Sequence, residues 1–363
     1  MPLLSEHSAK INITLPKGDV NAKMEVFFNP IMISNRNISI LLLNEISNTN
    51  MKIADPLAGS GIRSLRFLKE LKKDKINQLI INDAKEDFPK YVKDQLKINK
   101  IKKTKNIIIE NQDANLFLLT QTGFDYIDID PFGTPNPFLS SAIARISRDG
   151  ILAITATDTA ALTGTYPKVT ERKYWATSLK NYLMHETGLR ILIRKIQLQG
   201  IQFDKALIPI LSYHKEHYFR IYFRAEKGKE KCDELIRNHQ YFLYCQNCLN
   251  YQTSKYNKET CQCKSQYQFA GPLWIGELHN KKLITSMAKN NPYPEEQKFL
   301  SQLAEESTID KVGFYDLHEI ARKLKKEPPK TEIILKKLKA VRTHFSPTGI
   351  KTTAELKEIM KLY

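Results

Sequence analysis

Short apolar runs alternate with longer segments whose apolar residues recur every three or four positions. The runs predict strands and the longer segments predict helices. The predicted strands are Met51–Ala54, Leu79–Ile81, Asn106–Ile109, Tyr126–Ile129 and Gly150–Ala156. The predicted helices are Ile31–Ile46, Ile62–Leu71, Asp87–Ile98, Ala114–Thr120 and Phe138–Ser147. This alternation implies an α/β fold with a parallel sheet covered by helices. Its ligand crevice should lie at the carboxyl ends of the strands.

The remainder of the chain predicts a second domain. Residues 1–30 are typical of short strands and turns, and Ile191–Gln197 and Tyr218–Arg224 are predicted strands. A polar, charged stretch at 225–231 then predicts a boundary between a domain of residues 1–228 and one of residues 229–363. Helical patterns near 295–306, 314–325 and 331–340 indicate that the second domain is a smaller α+β unit.

Composition favours a globular protein with a polyanionic partner. The chain has 363 residues, enough for two domains, and 42% of them are hydrophobic. Its net charge is +17, which makes nucleic acid the first candidate partner. The alternative is a lysine-rich proteome, in which solvated lysines indicate nothing specific.

Neither a membrane span nor a secretory signal is predicted. No apolar stretch approaches the roughly 20 residues that cross a bilayer. The N-terminal residues Met1–Glu6 lack a basic region followed by an apolar one. We therefore expect a cytoplasmic protein with no membrane partner, and nothing indicates an obligate protein partner.

Small residues and acids at strand ends predict a cofactor site. Strand Met51–Ala54 leads to Asp55 and then to Gly59 and Gly61, where the backbone can approach a ligand at a helix N-terminus. A dinucleotide fingerprint needs a third glycine where this chain has Ser64, and Asp55 would repel a pyrophosphate. Both points favour S-adenosylmethionine, whose sulfonium is a cation.

Two further acids match the needs of that cofactor. Asp83 follows the next strand, about 20 residues beyond the glycine loop, where a carboxylate typically holds ribose hydroxyls. Asp113 can accept from an adenine amine, beside the small Ala114 that leaves room for the ring. The alternative is that each acid caps a helix or a strand. With Asp130, four successive strands end in acids, which favours the cofactor site.

The turn Asp130-Pro131-Phe132 indicates a planar substrate with an exocyclic amine. It follows a buried strand and resembles the Asp/Asn-Pro-Pro-Tyr/Phe signature of methyltransferases that modify amino groups on nucleobases. The Asp130 carboxylate and the Pro131 carbonyl can accept from the two amine N–H groups, and Phe132 can stack on the base.

Over nearly its whole length the chain resembles the archaeal and eukaryotic tRNA (guanine26-N2)-dimethyltransferase family. The matching stretches are Phe27–Pro30, Asn35–Asn37, Gly61–Phe67, Asp128–Gly133, Thr155–Asp158 and Arg342–Thr352. The resemblance implies a class I (Rossmann-like) S-adenosylmethionine-dependent methyltransferase domain and a C-terminal tRNA-binding domain. It also implies transfer of one or two methyl groups to N2 of guanine 26.

The resemblance also implies functional residues. The family's cofactor site maps onto Arg36, Arg63, Asp83, Asp113 and Ala114, and its base-binding aromatics resemble Phe27 and Phe132. The loop 55–61 departs from the family through Pro56 and an additional glycine, and Asn37 stands where relatives often have Asp. Arg63 and Arg66 share a helix face, and either could meet the cofactor. The alternatives are methylation of another base (adenine N6 or rRNA guanine N2), a non-catalytic RNA-binding protein, or an NAD-binding oxidoreductase.

Four of the five cysteines predict a structural zinc site. Cys245 and Cys248 have knuckle spacing, and Cys261 and Cys263 follow within a short loop, so we predict a cysteine knuckle at 241–267. The alternative is four free thiols. Cys232 is expected to be a free thiol, and His239 is a substitute ligand or a surface residue.

The C-terminal part is strongly basic. Between Arg322 and Arg342 there are nine lysines and arginines and two glutamates. Helix, Pro328-Pro329 and helix resemble a small winged-helix-like arrangement whose basic face should contact tRNA phosphates. The alternative is a solvated helix face.

Overall fold

The computed structural model describes residues 3–13 and 26–363, and its chain divides into two compact units. The first unit consists of Met1–Thr157, Tyr222–Lys227 and Asn291–Glu296. The second consists of Asp158–Ile221, Gly228–Asn290 and Gln297–Tyr363. The domain boundary after residue 228 stays a prediction, and one of several passages of the chain between the two units lies between Lys227 and Gly228.

The first unit contains the predicted alternation of strands and helices. Its strands are β1 Leu3–Glu6, β2 Ala9–Asn12, β3 Met51–Asp55, β4 Ile76–Asn82, β5 Ile107–Glu110, β6 Phe124–Ile129 and β7 Ile146–Ala156. Its helices are α1 Ile33–Glu45, α2 Ile62–Glu70, α3 Phe88–Ile98, α4 Ala114–Thr120 and α5 Leu139–Arg145. Short 3₁₀ helices lie at Pro30–Met32, Asn136–Phe138 and Pro294–Glu296. The five strands and five helices predicted between residues 31 and 156 are all confirmed.

Parallel pairing places the carboxyl ends of β3 and β6 side by side. The strand order in the first unit is β5-β4-β3-β6-β7, and the pairings between these strands are parallel. Counted from β3, this is the doubly wound order 3-2-1-4-5, in which the order of the strands reverses between β3 and β6, the switch point of the sheet. Ligands of such sheets bind in the crevice at that point. Asp55 ends β3, and Asp130 follows β6.

The strands form because both faces of the sheet are buried. The side chains of Ile53 in β3, Ile127 in β6 and Ile154 in β7 have no exposed surface. Near-continuous apolar runs are typical of parallel strands covered by helices on both sides. The sheet is thus a rigid base for the loops at its carboxyl edge.

The second unit combines helices with two small antiparallel sheets. Its helices are α6 Thr159–Leu162, α7 Pro167–Tyr174, α8 Met184–Ile201, α9 Lys229–Arg237, α10 Lys281–Lys289, α11 Gln297–Glu306, α12 Leu317–Leu324, α13 Thr331–Lys337 and α14 Leu356–Met360. Its strands are β8 Lys205–Lys215, β10 His239–Tyr244, β11 Tyr251–Ser254, β12 Gln268–Trp274, β13 Tyr315–Asp316, β14 Val341–Arg342 and β15 Gly349–Lys351. Strand β9, Tyr218–Lys227, contributes to both units. The small sheets have the orders β11-β10-β12 and β13-β15-β14.

The predicted strand at Ile191–Gln197 is wrong, because these residues lie inside helix α8. The side chains of Leu189, Ile191, Leu192, Ile193 and Ile196 are all fully buried. A helix buried on most sides loses its polar face and produces a continuous apolar run, which periodicity cannot distinguish from a buried strand. The predicted strand at Tyr218–Arg224 is confirmed as part of β9.

At the N-terminus, β1 and β2 form an antiparallel pair, as the predicted short strands require. Residues 14–25 of that prediction lie outside the described residues. In the described part of the chain, no helix has both the length and the apolar character needed to cross a bilayer.

Candidate active site

The loop between β3 and α2 depends on two glycines. Gly61 caps α2 with a left-handed backbone, φ +70°, and Gly59 has φ +56°. A Cβ at Gly59 would lie 3.1 Å from the Phe27 carbonyl oxygen. Both positions therefore require glycine, and the backbone at Gly59 stays close to Phe27.

Hydrogen bonds fix this loop against its neighbours. The Gly59 N–H donates to Asp83 Oδ2 at 2.8 Å, and the Ser60 N–H donates to the Phe27 carbonyl at 2.9 Å. Asp83, predicted to hold ribose, thus borders the loop at the end of β4. A carboxylate has about four acceptor positions, so Asp83 can still accept from a ligand hydroxyl.

Asp113 caps α4 and keeps one oxygen for other partners. Its Oδ1 accepts from the backbone N–H groups of Asn115 at 2.9 Å and Leu116 at 3.1 Å. The capping role is therefore real, and it leaves Oδ2 available to a ligand. The neighbouring Ala114 is buried, and Asp113 is exposed.

Arg63 joins two acids at the end of β6. Its Nη2 pairs with Asp130 Oδ2, and its Nη1 lies 3.2 Å from Asp128 Oδ2 and donates to Ser39 Oγ at 3.1 Å. Asp128 also accepts from the Tyr126 hydroxyl at 2.6 Å. The Asp128 side chain has no exposed surface, whereas that of Asp130 is 20% exposed. The buried acid therefore anchors Arg63, which in turn holds the accessible one.

Asp55 is a buried acid with an unusual proton affinity. The pKa of its carboxyl is raised to about 7, mainly by burial and in smaller part by the nearby Asp128 and Asp130. Arg63 and a 2.7 Å hydrogen bond from the Ser64 hydroxyl oppose this rise in pKa. Three acids around one arginine make the carboxyl end of β3 and β6 a negative site.

The two predicted base-binding rings touch each other. Phe27 and Phe132 lie edge to face with ring centroids 4.2 Å apart, and Phe132 is 48% exposed. The turn that carries Phe132 is held by Gly133 and Thr157, which exchange hydrogen bonds of 2.7 and 2.9 Å. A base cannot fit between rings at this distance, so it must displace one of them.

Arg36, predicted to bind the cofactor, is engaged by Glu6. Its guanidinium makes a bidentate contact with Glu6 at 2.7 and 2.6 Å. Arg66 shares Glu6 at 2.9 Å and pairs with Glu70 at 2.8 Å. Burial raises the pKa of Glu6, but the two arginines outweigh it and the net pKa is lowered. Arg66 is thus engaged by Glu6 and Glu70, and of the two helix arginines it is Arg63 that pairs with Asp128 and Asp130.

The sequence prediction missed Glu6, Ser39 and Asp128. Asp128 carries a usable signal, because it shares one face of β6 with Tyr126, and Asp130 continues the same spacing of two just beyond the strand. Glu6 and Ser39 carry no such signal, because each meets its arginine only through folding.

The four clustered cysteines meet in the second unit. Cys245 and Cys263 Sγ lie 3.4 Å apart, as do Cys248 and Cys261 Sγ, and all four sulfurs lie within 4.8 Å of one another. Four thiolates bound to Zn²⁺ at about 2.3 Å have sulfurs about 3.8 Å apart, so the cluster fits tetrahedral zinc.

Two other candidate groups do not join this cluster. All five cysteines lie in the described part of the chain and are free of disulfides, and Cys232 is buried. The ring of His239 instead contacts Gln197 Oε1 at 2.9 Å. A metal at this site would therefore be held by sulfur alone.

Comparisons with known proteins agree with one another along the chain. The family model of N2,N2-dimethylguanosine tRNA methyltransferase matches residues 5–363. A tRNA (guanine(26)-N(2)/guanine(27)-N(2))-dimethyltransferase of Aquifex aeolicus is 40% identical, over 99% of this chain and 95% of that protein. A tRNA (guanine(26)-N(2))-dimethyltransferase of Methanobrevibacter smithii is 38% identical, over 96% and 94%. The structure of Trm1 from Pyrococcus horikoshii with S-adenosyl-L-methionine superposes with a TM-score of 0.86, 33% identity and 99% coverage of both chains.

Proposed function

Because the chain belongs to the N2,N2-dimethylguanosine tRNA methyltransferase family, we propose that it transfers one or two methyl groups from S-adenosylmethionine to the exocyclic N2 of guanine 26 in tRNA. Its fold is a class I (Rossmann-like) methyltransferase domain with a smaller α+β C-terminal part. The observation that carries the proposal is the turn Asp130-Pro131-Phe132 at the switch point, within a match that covers nearly the whole chain.

The residues around the switch point fit S-adenosylmethionine, which supplies the methyl group as part of a cationic sulfonium. The glycines at 59 and 61 let the loop turn closely at the start of α2, and Asp83 and Asp113 keep acceptor capacity for ribose and adenine. The buried Asp55 adds negative charge next to that loop, which suits a cation better than a pyrophosphate. We assign these four sites to the cofactor.

Asp130 is the catalytic acceptor of the proposal. The lone pair of the guanine amine is delocalised into the ring, and hydrogen bonds from its two N–H groups to acceptors release it for attack. Arg63 pairs with Asp130 Oδ2, so we assign Oδ1 and the Pro131 carbonyl as the acceptors for the amine. As the N–C bond forms, the bond between the methyl group and the sulfonium sulfur breaks and S-adenosylhomocysteine leaves as a neutral thioether. One amine proton passes to Asp130, so the methylated amine is neutral. Orientation by these acceptors supplies much of the rate.

The aromatic pair explains how the base is held. The guanine must leave its stack, at a cost of a few kcal/mol. Stacking on an aromatic ring returns about 1–3 kcal/mol per base. Phe132 is the exposed ring of the pair, and Phe27 is tied through its backbone to the Ser60 N–H. We infer that Phe132 moves to admit the base and that Phe27 bounds the other face.

The test uses radiolabelled S-adenosylmethionine with an unmodified tRNA transcript and a matched transcript carrying adenine at position 26. With the wild-type protein we expect N2-methylguanosine in the first transcript alone. The Asp130→Ala variant should form none in either transcript but should keep its affinity for tRNA. Equal label in both transcripts would show that the methylated position is not guanine 26. Weak tRNA binding by Asp130→Ala with normal turnover of bound tRNA would refute the role of Asp130.

Guanine 27 is a second candidate position. The Aquifex aeolicus relative, 40% identical to this chain, is named for both guanine 26 and guanine 27. A transcript with adenine at 26 and guanine at 27 separates the two activities. Label at position 27 in that transcript would extend the proposal, and absence of label would restrict the enzyme to position 26.

We also infer that Cys245, Cys248, Cys261 and Cys263 bind a structural zinc ion. The support is the mutual distance of their sulfurs, within 4.8 Å, and the position of the cluster in the unit that lacks Asp130. Elemental analysis should give one zinc per chain, and EDTA should lower the melting temperature more than it lowers turnover below that temperature. A protein without zinc whose melting temperature is unchanged by EDTA would refute the site.

The basic segment 322–342 is a proposed contact to tRNA phosphates. Helices α12 and α13 expose Arg322, Lys323, Lys336 and Lys337 to solvent. Phosphate contacts position the RNA without reading its sequence. Replacement of these four cations by glutamine should weaken binding of all tRNAs alike and reduce its salt dependence.

A further inference from the structure

The second unit contains a cavity that is lined by none of the residues assigned to methyl transfer. It is bordered by β11, by the segment around Cys261, by the approach to β13 and by α14, and its volume is about 490 Å³. Sites for small ligands in proteins have volumes of about 300–1,000 Å³. The acids and rings of the proposed active site belong to the first unit, so this cavity needs a separate explanation.

Three tyrosines line the cavity. Tyr251 and Tyr315 lie with ring centroids 4.9 Å apart and their planes tilted by 38°. Tyr315 is buried, whereas Tyr251 and Tyr267 are half-buried, and Tyr251 also packs against Phe242 with ring centroids 5.3 Å apart. Asn250 and Gln262 also line the cavity. Aromatic rings beside amides suit a flat group that carries both hydrogen-bond donors and acceptors.

Lys311 places a poorly satisfied cation in this cavity. Its Nζ lies 4.8 Å from the Tyr315 ring centroid, and its hydrogen bonds to Tyr315 Oη and the Ala354 carbonyl are both 3.4 Å long. Charge-assisted bonds to an anion are about 2.7–2.9 Å long. No carboxylate oxygen of the described residues lies within 4 Å of this ammonium group. The other lysine on the cavity wall, Lys357, is already paired with Glu355 at 2.8 Å.

The cysteine cluster forms part of the cavity wall. Cys261 and Gln262 line the cavity directly, and Asn250 and Tyr251 follow Cys248 by only two and three residues. A metal that joins the four sulfurs would fix both of these segments. The cluster therefore positions the cavity as well as stabilising the unit.

We propose that this cavity binds one unpaired nucleotide of the tRNA substrate, with its base against the tyrosines and its phosphate on Lys311. The inference rests on the proposed function, since it takes the RNA to be the methylated tRNA. Unpaired bases are the parts of RNA that proteins bind by stacking on aromatic side chains. A half-buried lysine with long hydrogen bonds supplies the matching cation.

The first test compares Lys311→Gln with Lys229→Gln in the full-length, zinc-containing protein. Both variants remove one positive charge from the second unit, and Lys229 is exposed at the start of α9. Lys311→Gln should weaken tRNA binding about tenfold and reduce the slope of log affinity against log salt by about 0.7. Lys229→Gln should leave both close to the wild-type values. Equal effects of the two variants would overturn the proposal.

The second test separates the ring of Tyr267 from its hydroxyl. Tyr267→Phe keeps a ring for stacking, whereas Tyr267→Leu removes it. Loss of one stacked base should weaken tRNA binding at least fivefold in Tyr267→Leu only. The melting temperature of each variant shows whether it has folded. A folded Tyr267→Leu protein with wild-type affinity would contradict the assignment of the base.

Crosslinking identifies the occupant. A transcript with 4-thiouridine at unpaired positions should crosslink to peptides around Tyr251 or Tyr267, and crosslinking should fall in Lys311→Gln. If no RNA crosslink forms and free nucleoside monophosphates bind at millimolar concentration, the cavity belongs to a free nucleotide and the proposal is overturned. Methylation of bulk tRNA by the wild-type protein is measured in parallel. Its failure would refute the proposed function, whereas normal methylation without a crosslink would refute only the cavity.

Discussion

Binding of S-adenosylmethionine should depend on the ionisation of Asp55. The buried carboxyl has a pKa of about 7, against 3.8 for a free aspartate side chain, because burial disfavours its charged form. A cationic ligand at the adjacent loop favours the ionised carboxylate. Affinity should therefore rise as the pH rises toward the pKa of Asp55 and become constant above it. Asp55→Asn, which cannot ionise, should remove this dependence.

The magnitude follows from the shift. A rise in pKa from 3.8 to about 7 corresponds to about 4 kcal/mol of unfavourable free energy for ionised Asp55 in the folded protein. If the ligand requires the ionised form, affinity falls about tenfold between pH 8 and pH 6. The linkage to stability has the opposite sense. A raised folded pKa means that the folded protein holds a proton which the unfolded chain releases. The free energy of unfolding contributed by Asp55 therefore decreases from about pH 4 to about pH 7 and then stays constant.

The assay is calorimetric titration of S-adenosylmethionine and S-adenosylhomocysteine at pH values from 5.5 to 8.5. The two ligands share the amino group and differ in the sulfonium charge. The ratio of their dissociation constants therefore reports how strongly the site, including Asp55, favours that charge. Wild-type protein should favour S-adenosylmethionine increasingly up to about pH 7, and Asp55→Asn should show a constant ratio. Ser64→Ala, which removes the 2.7 Å hydrogen bond to Asp55, should shift the midpoint to higher pH. A constant ratio in the wild-type protein would refute the reasoning.

Three further results are expected. Glu6→Gln should lower the free energy of unfolding, measured by denaturant titration, by about 3–5 kcal/mol, because Arg36 and Arg66 would lose their buried carboxylate partner. A decrease of less than about 1 kcal/mol would contradict this. Gly59→Ala should lower the free energy of unfolding by about 1–3 kcal/mol and raise the KM for S-adenosylmethionine. The reason is that the residue has φ +56° and that its Cβ would press on Phe27. An unchanged melting temperature and KM would count against this. EDTA should lower the melting temperature of the second unit if the four cysteines hold the proposed zinc, and addition of zinc should restore it. A metal-free protein with wild-type melting would count against this.

Local pattern was sufficient for the architecture of the first unit. Strands β3 to β7 and their helices have clear periodicity, and the rule for doubly wound sheets then predicts a site near Asp55 and Asp130. The proximity of the four cysteines was also predictable, because their spacing favours a shared ion. The helix α8 was not predictable, because burial on most sides removes the polar face by which a helix is recognised.

The sequence by itself determined which side chains stand at the strand ends, because strand–helix alternation is a local property of the chain. Only the tertiary structure decided how those side chains are paired. Glu6 meets Arg36 and Arg66 from 30 and 60 positions away, and Ser39 meets Arg63 from 24. The cavity around Lys311 likewise joins segments separated by tens of residues. Such pairings depend on the packing of helices against sheets, and burial makes each of them energetically decisive because an unpaired buried charge is costly.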